Sequence, residues 1–361
     1  MALTITATDT ELTKPVNAVF QQTFLRRAQQ HCPYFLGTMP GDITKQRGTS
    51  TIKWRRIEQE TPSTTALSEL TTTASYMQGR DADTPSFTDV TATVAKYGQF
   101  YIVNEEVDLY NPNGTTNQLV EVLGESAGRS LNQLQRNTAE DSATQHYAAN
   151  VASAGAVNAV GTTGDLNYAI NVLSRNAART FYPMANGSTN VGSAPILPSY
   201  IGICHPDVAH DIAGLTGFKS VETYAGQTAL LPGEFGFYGR AGRGVRFVMS
   251  EDASIDADAG AATGTDMRGT TSSDTDVYTI CIYGQDAFGS VGLGEKHTDG
   301  AYRAGDNSGG WEMIFHDRGS SGTADPFNEI STLAWKAFHA SAVLNANFSR
   351  AIRVGASNLA N

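Results

Sequence analysis

The chain has 361 residues, 40% of them hydrophobic, which excludes wholesale disorder and provides for one elaborated domain or about two of roughly 150 residues each. Its 25 Lys and Arg against 36 Asp and Glu leave a formal net charge of −11, which argues against a protein that coats DNA, because neutralising phosphate takes a surplus of cations. Cys32, Cys204 and Cys281 are odd in number and far apart, so they read as free thiols of a reducing cytosol and not as a disulfide framework or a zinc site.

Residues 1–48 mix Thr, Ala and short apolar pieces. Phe20, Phe24, Leu25 and Ala28 fall at helical spacing and predict a short helix over residues 17–30; most of the rest reads as extended. Such a segment has little to bury by itself and is expected to take its order from neighbours. The first sixty residues hold eight basic side chains (Lys14, Arg26, Arg27, Lys45, Arg47, Lys53, Arg55, Arg56) and five acidic ones. That excess faces nucleic acid, an acidic neighbour or plain solvent.

From residue 50, Ile52 and Trp54 alternate with Lys53 and Arg55, the period of a strand. A polar Thr/Ser-rich stretch follows, and strand character resumes with Val90, Ala92 and Val94 on one face. Together these predict a long β-hairpin, which is not stable alone in water and must lie against another surface. Residues 115–149 read as the clearest helix, with Leu119, Leu123, Ala127, Leu131, Leu134 and Thr138 in one stripe. At about 1.5 Å per residue it would run roughly 50 Å. A short helical piece follows within 150–195. Residues 196–318 alternate short strands and helices, with an acidic Gly/Ser/Thr-rich insert at 252–276 expected as a solvated flap. Leu333, Ala337, Ala340 and Leu344 predict a closing helix, followed by a strand. No run approaches the roughly 18 apolar residues of a membrane span, and the N-terminus lacks the pattern of a secretory signal, so no membrane partner is expected.

Several motifs invite chemistry. Gly124-Glu125-Ser126-Ala127-Gly128 matches the G-x-S-x-G nucleophile elbow, so a cytosolic serine esterase of α/β-hydrolase type using Ser126 is the alternative reading. That elbow needs a strand, a strained turn and then a helix, whereas the helical stripe here runs through the motif unbroken. His205 and His210 are five apart and do not share a helix face; Pro206 and Asp207 read instead as a helix start. Asp256 and Asp258 resemble a calcium loop only in part, since position twelve is Met267. Gly239 to Gly244, with Arg240 and Arg243, precedes a strand and not a helix, so it reads as a tight turn suited to inter-subunit pairing and not as a phosphate cradle. No catalytic residue, metal or cofactor is expected.

The order of parts, together with VTATVAKYGQFYIVNEEVDLY, HPDVAHDI, GEFGFYGRAGRGVRFVMSED and LAWKAFHASAVLNANFSRAIRVGAS, resembles a tailed-bacteriophage major capsid protein of the N-four-type branch over about residues 45–355. The resemblance implies an α+β, HK-ninety-seven-like fold: an N-terminal arm (1–48), an extended loop (49–98), a peripheral domain (99–195) with its spine helix (115–149), an axial domain (196–318) and a return to the peripheral domain (319–361). It implies self-assembly as pentamers and hexamers into an icosahedral virion shell around double-stranded DNA, in the cytoplasm of a bacterial host. A portal, a separate scaffolding protein and a decoration protein are the further partners it implies; the scaffold is expected to be separate because arm-like sequence starts at Met1. Lys53, Trp54, Arg55 and Arg56 are the expected grip of the loop on a neighbour, with Arg240 and Arg243 near a symmetry axis. A surface adhesin or array protein is a third reading, disfavoured by the missing secretory signal.

Overall fold

The computed structural model describes residues 24, 27–28, 32–41, 50–58, 60–62, 64, 85–110, 115–182, 196–223, 229, 231–240, 242–264, 266–270, 273–292, 311–320 and 325–358. The first 23 residues and most of the polar tip of the hairpin therefore lie outside the described residues. In chain order the strands and helices begin with β1 (Met39–Pro40), β2 (Thr51–Ile57), β3 (Phe87–Thr93), β4 (Ala95–Asn104), α1 (Glu105–Tyr110), α2 (Thr115–Ser142) and β5 (Thr144–Tyr147). Then come α3 (Thr163–Arg175), β6 (Ser199–Cys204), α4 (Pro206–Ala213), β7 (Phe218–Ser220), β8 (Glu234–Arg240), β9 (Arg243–Met249) and β10 (Ile255–Asp256). The chain closes with β11 (Val277–Tyr283), β12 (Phe288–Gly292), β13 (Trp311–His316), β14 (Ile330–Val343) and β15 (Ser349–Val354).

Where a helix was expected over Leu333 to Leu344, the chain forms β14, a 14-residue strand. Ser331, Leu333, Trp335, Ala337 and His339 point inward in strict alternation. A spacing of four is even, so Leu333 and Ala337 share a strand face as readily as a helix face. Partners decide the outcome: β4 pairs with β14 over ten residues on one edge, while β13 and then β12 pair with it on the other. The result is a five-stranded sheet in which β1 adds to β12.

The long helix α2 lies against the inner face of this sheet. Val120, Leu123, Ala127 and Leu131 are fully buried with Val103, Leu333, Trp335 and Ala337. It spans 28 residues, about 42 Å at 1.5 Å per residue, and stops short of residue 149. Residues 144–147 leave it to form β5, which pairs in parallel with β15 at the edge of the second sheet.

The second sheet has eight strands in the order β5-β15-β11-β6-β9-β8-β7, with β10 on β11. Every residue of β6 and β11 is buried, the pattern of strands covered on both faces. α3 and α4 cover one face through Leu166, Leu173, Val208 and Ile212. The expected boundaries need correction here. β12 and β13, which fall in 196–318, pair with β14, while β15, which falls in 319–361, sits between β5 and β11. Chain proximity therefore gives way to strand pairing across the sequence.

The insert at 252–276 is also less solvated than expected. Asp252, Ala253, Thr275 and Asp276 are buried, and isolated bridges join Ala262 to Asp274 and Met267 to Ser357. Asp276 organises it: the carboxylate accepts from the backbone N–H of Asp258 and of Thr270, and from the Thr270 hydroxyl at 2.7 Å. Part of the expected arm is likewise anchored on the rest of its own chain. Phe24 and Ala28 are helical and fully buried, the Tyr34 N–H donates to Asn132 Oδ1 at 3.1 Å, and the Tyr283 hydroxyl donates to the Leu36 carbonyl at 2.8 Å.

Candidate functional site

The hairpin pairs β2 with β3 from Thr51↔Thr93 to Ile57↔Phe87, and the pleat gives it two chemically different faces. The inner face brings Ile52 and Trp54, with Val90, Ala92 and Val94, onto Val291, Ala340, Ala342 and Leu344. Trp54 is therefore buried within its own subunit, and the expectation that it grips a neighbour is corrected. Its indole leaves no room for a side chain at Gly41, where an added Cβ would lie 2.6 Å from the ring, or at Gly289, where it would lie 2.9 Å away. Arg56 also turns inward, donating to the Leu344 carbonyl at 2.8 Å and to Glu58 at 2.9 Å.

The outer face carries Lys53 and Arg55 around Asp89. Lys53 Nζ lies 2.5 Å from one carboxylate oxygen and Arg55 Nε donates to the other at 2.9 Å. The Arg55 hydrogen bond first, and the Lys53 one next, hold the Asp89 carboxyl down to about 2. The Arg55 guanidinium stands over the Phe87 ring at 5.6 Å. Ile57 and Phe87 are exposed beside them, so this face offers both charge and apolar surface.

The sequence reading missed a second exposed surface. On β4 the inward residues face α2, while Phe100 and Ile102 point outward at 64% and 61% exposure. α1 adds exposed Val107, Leu109 and Tyr110. Phe327, at 80% exposure, stands two residues before Glu329, whose carbonyl accepts the Glu105 N–H at 2.8 Å. The signal was present as the nearly continuous apolar run FYIV, which is longer than one buried face of a strand requires. Exposed apolar side chains gathered on consecutive elements make this a candidate interaction surface.

Arg240 and Arg243 close the β8–β9 hairpin as a register pair, with Gly242 at φ +84° in the turn. The expected tight turn is there. Arg240 is exposed, but Arg243 is half-buried and donates to the Tyr200 hydroxyl at 2.7 Å, so only one of the two expected exposed arginines is free of the fold.

The enzymatic motif resolves into packing. Ser126 lies mid-way along α2 and donates to Gln99 Oε1 at 2.7 Å. Gly124 and Gly128 sit one helical turn apart and face the helical residues Phe24 and Ala28. A Cβ at Gly124 would lie 2.7 Å from the Phe24 carbonyl oxygen, and one at Gly128 would strike the Ala28 carbonyl oxygen. The glycines thus allow two helical segments to cross closely, and no strand-turn-helix elbow exists there. His205 caps α4, its Nδ1 accepting the Asp207 N–H at 3.2 Å; burial pushes its pKa below the ordinary histidine value. Asp256 pairs with Arg353 at 2.7 Å.

The sequence also missed a buried polar hub. Asp252 receives Arg129 Nε at 3.0 Å, Asn132 Nδ2 at 3.2 Å and Gln133 Nε2 at 3.2 Å, all from α2. Two residues on, the Ser254 turn meets Glu140, whose carboxylate accepts the Tyr34 hydroxyl at 2.6 Å and is pushed above the usual range by burial. The turn after β9 is thereby clamped along three turns of the long helix.

Neither a protein-family model nor a curated protein matches the chain. Solved structures do. The capsid of Ralstonia phage GP4 is similar with a TM-score of 0.59 at 11% identity, covering 87% of this chain and 86% of that one. The capsid asymmetric unit of cyanophage Pam1 gives 0.56 at 10% identity, covering 89% of each. The acid-stable capsid of Helicobacter pylori bacteriophage KHP30 gives 0.52 at 9% identity, covering 90% of this chain and 89% of that one. The chain therefore has the mixed α+β fold found in phage capsid structures.

Proposed function

We propose that the chain is the major capsid protein of a tailed phage, a structural subunit with no catalytic role, which assembles as pentamers and hexamers into an icosahedral head shell around double-stranded DNA. The observation that carries this reading is the two-sided coverage: the likeness to capsid subunits takes in nearly all of both chains, so no separate catalytic module is needed to account for the length. The exposed apolar residues on β4, α1 and the outer hairpin face support it, since a shell would bury them against copies. An N-four-type, HK-ninety-seven-like assembly is the finer form of the proposal. In it Lys53 and Arg55 contact a neighbour, Arg240 lies near a symmetry axis, and portal, scaffolding and decoration proteins complete a virion assembled in the host cytoplasm. The test is size-exclusion chromatography followed by negative-stain electron microscopy of the purified full chain, alone and co-expressed with its neighbouring phage genes. Shells, tubes or five- and six-fold rings are expected; a monomer under both conditions would contradict the reading.

A further inference from the structure

We infer that the eight-stranded sheet carries a head-to-tail docking surface, in which an arginine cluster at one end of β9 receives carboxylates from the opposite end of β9 in a second copy. This rests on the assembly proposed above and names one of its contacts.

Four arginines lie on the elements that meet at the first end. Arg243 donates to the Tyr200 hydroxyl and to the Ala178 carbonyl, which fixes its guanidinium on the turn that follows α3. Arg175 occupies the last turn of α3 and Arg179 follows Ala178 directly; both are exposed. Arg240 is the cross-strand partner of Arg243 and is exposed as well. None of the four has an ion-pair partner among the described residues. The contrast with other arginines of the chain is plain: Arg129, Arg268 and Arg353 each lie within 3.0 Å of an aspartate oxygen. One carboxylate stands nearby, that of Asp286, next to Gln285, whose N–H donates to the Arg179 carbonyl. The end keeps a surplus of positive charge.

At the other end, roughly 20 Å along the seven residues of β9, the sign reverses. Glu251 follows the strand and Glu222 lies on the turn after β7; both are exposed, and neither forms an ion pair among the described residues. Of the cations nearby, Arg129 pairs with Asp252, Arg268 with Asp207 and Arg353 with Asp256, while Arg136 donates to the Asp252 carbonyl at 2.6 Å and to Asn137. The sheet is thus electrically polar along one strand. A polar element repeated in identical copies can pair antiparallel or head to tail; the ring-forming assembly proposed above takes the head-to-tail form, and such heterologous contacts generate rings or strings. A guanidinium fork suits carboxylate geometry, and Arg243 is already held in place. Nucleic acid is disfavoured, because a phosphate-binding face has no use for a matching acidic end, and a chain of net charge −11 has an excess of carboxylates over cations.

Two full-length variants test this, R179E/R240E and E222K/E251K, leaving Arg243 to its structural bonds. Sedimentation velocity at low salt is expected to show that each variant alone loses association by about tenfold or more, with thermal melts unchanged, and that mixing the two restores it. Added salt is expected to weaken the wild type in the same range. The inference is overturned if R179E/R240E assembles like the wild type, if the mixture fails to associate, or if that variant loses only co-purifying nucleic acid. A wild type that never assembles would overturn the parent reading with it, whereas assembly of the wild type beside unaffected variants removes the docking surface alone.

Discussion

The two sheets of this chain solve the burial problem in opposite ways. β6 and β11 of the eight-stranded sheet are covered on both faces by helices and loops of the same chain. The five-stranded sheet covers one face with α2 and leaves Phe100 and Ile102 of the other in solvent, as does the outer face of the hairpin with Ile57 and Phe87. The difference lies in coverage: both layers hold buried cores, but the second leaves apolar side chains in solvent, which copies of the chain would cover under the proposed function.

The largest effect is expected at a side chain that serves folding where the sequence points to assembly. Trp54→Ala removes an indole packed between Gly41, Gly289 and Leu344, and is expected to cost the isolated subunit about 3–5 kcal/mol in chemical denaturation. A variant as stable as the wild type but unable to assemble would return Trp54 to the interface.

The next effect is on pH dependence. His339 is buried under the five-stranded sheet with its Nδ1 against the Val291 carbonyl, and burial lowers its pKa from 6.5 to about 4. Its folded form stays neutral while the unfolded chain takes up a proton below 6.5. The stability it secures is therefore intact above pH 6.5 and lost as the pH falls toward 4, by up to about 3 kcal/mol. Melts of wild type and His339→Gln between pH 7 and 4 check this; parallel curves would show that the ring does not titrate with unfolding.

Gly128→Ala forces a methyl group into the Ala28 carbonyl and is expected to cost about 1–3 kcal/mol, whereas Ser126→Ala, losing one part-exposed hydrogen bond, is expected to cost about 1 kcal/mol or less. The reverse order would revive a special role for the serine. The smallest expected effect on stability is that of Phe100→Ser, within about 0.5 kcal/mol for the isolated chain, together with a marked loss of assembled material by sedimentation.

Legibility in the sequence depended on whether a local period encodes the contact. The stripe of α2 was readable because Leu123, Ala127 and Leu131 repeat at the helical period over a long window. β14 was not, because its buried face includes Ser331 and His339, and because an even spacing satisfies both periods. Inward-facing Trp54 and Ile52 correctly announced a strand, yet alternation alone does not say whether the covering surface belongs to the same chain. The Asp252 hub was illegible for a different reason: its partners Arg129, Asn132 and Gln133 lie well over a hundred residues away, and no local pattern encodes that closure. Gly124 and Gly128 were conspicuous in the sequence, but their spacing fits a close helix crossing as well as an elbow, and only the placement of Phe24 and Ala28 decides.

The most direct test of the division between the two layers is hydroxyl-radical footprinting of the full chain, dissociated and assembled, read residue by residue by mass spectrometry. Phe100, Tyr110 and Phe327 are expected to be labelled strongly in the dissociated subunit and protected several-fold in the particle, while Tyr278 and Tyr283 of the eight-stranded sheet stay unlabelled in both. Equal labelling of Phe100, Tyr110 and Phe327 in the two states would show that copies do not cover this surface, and would contradict the account.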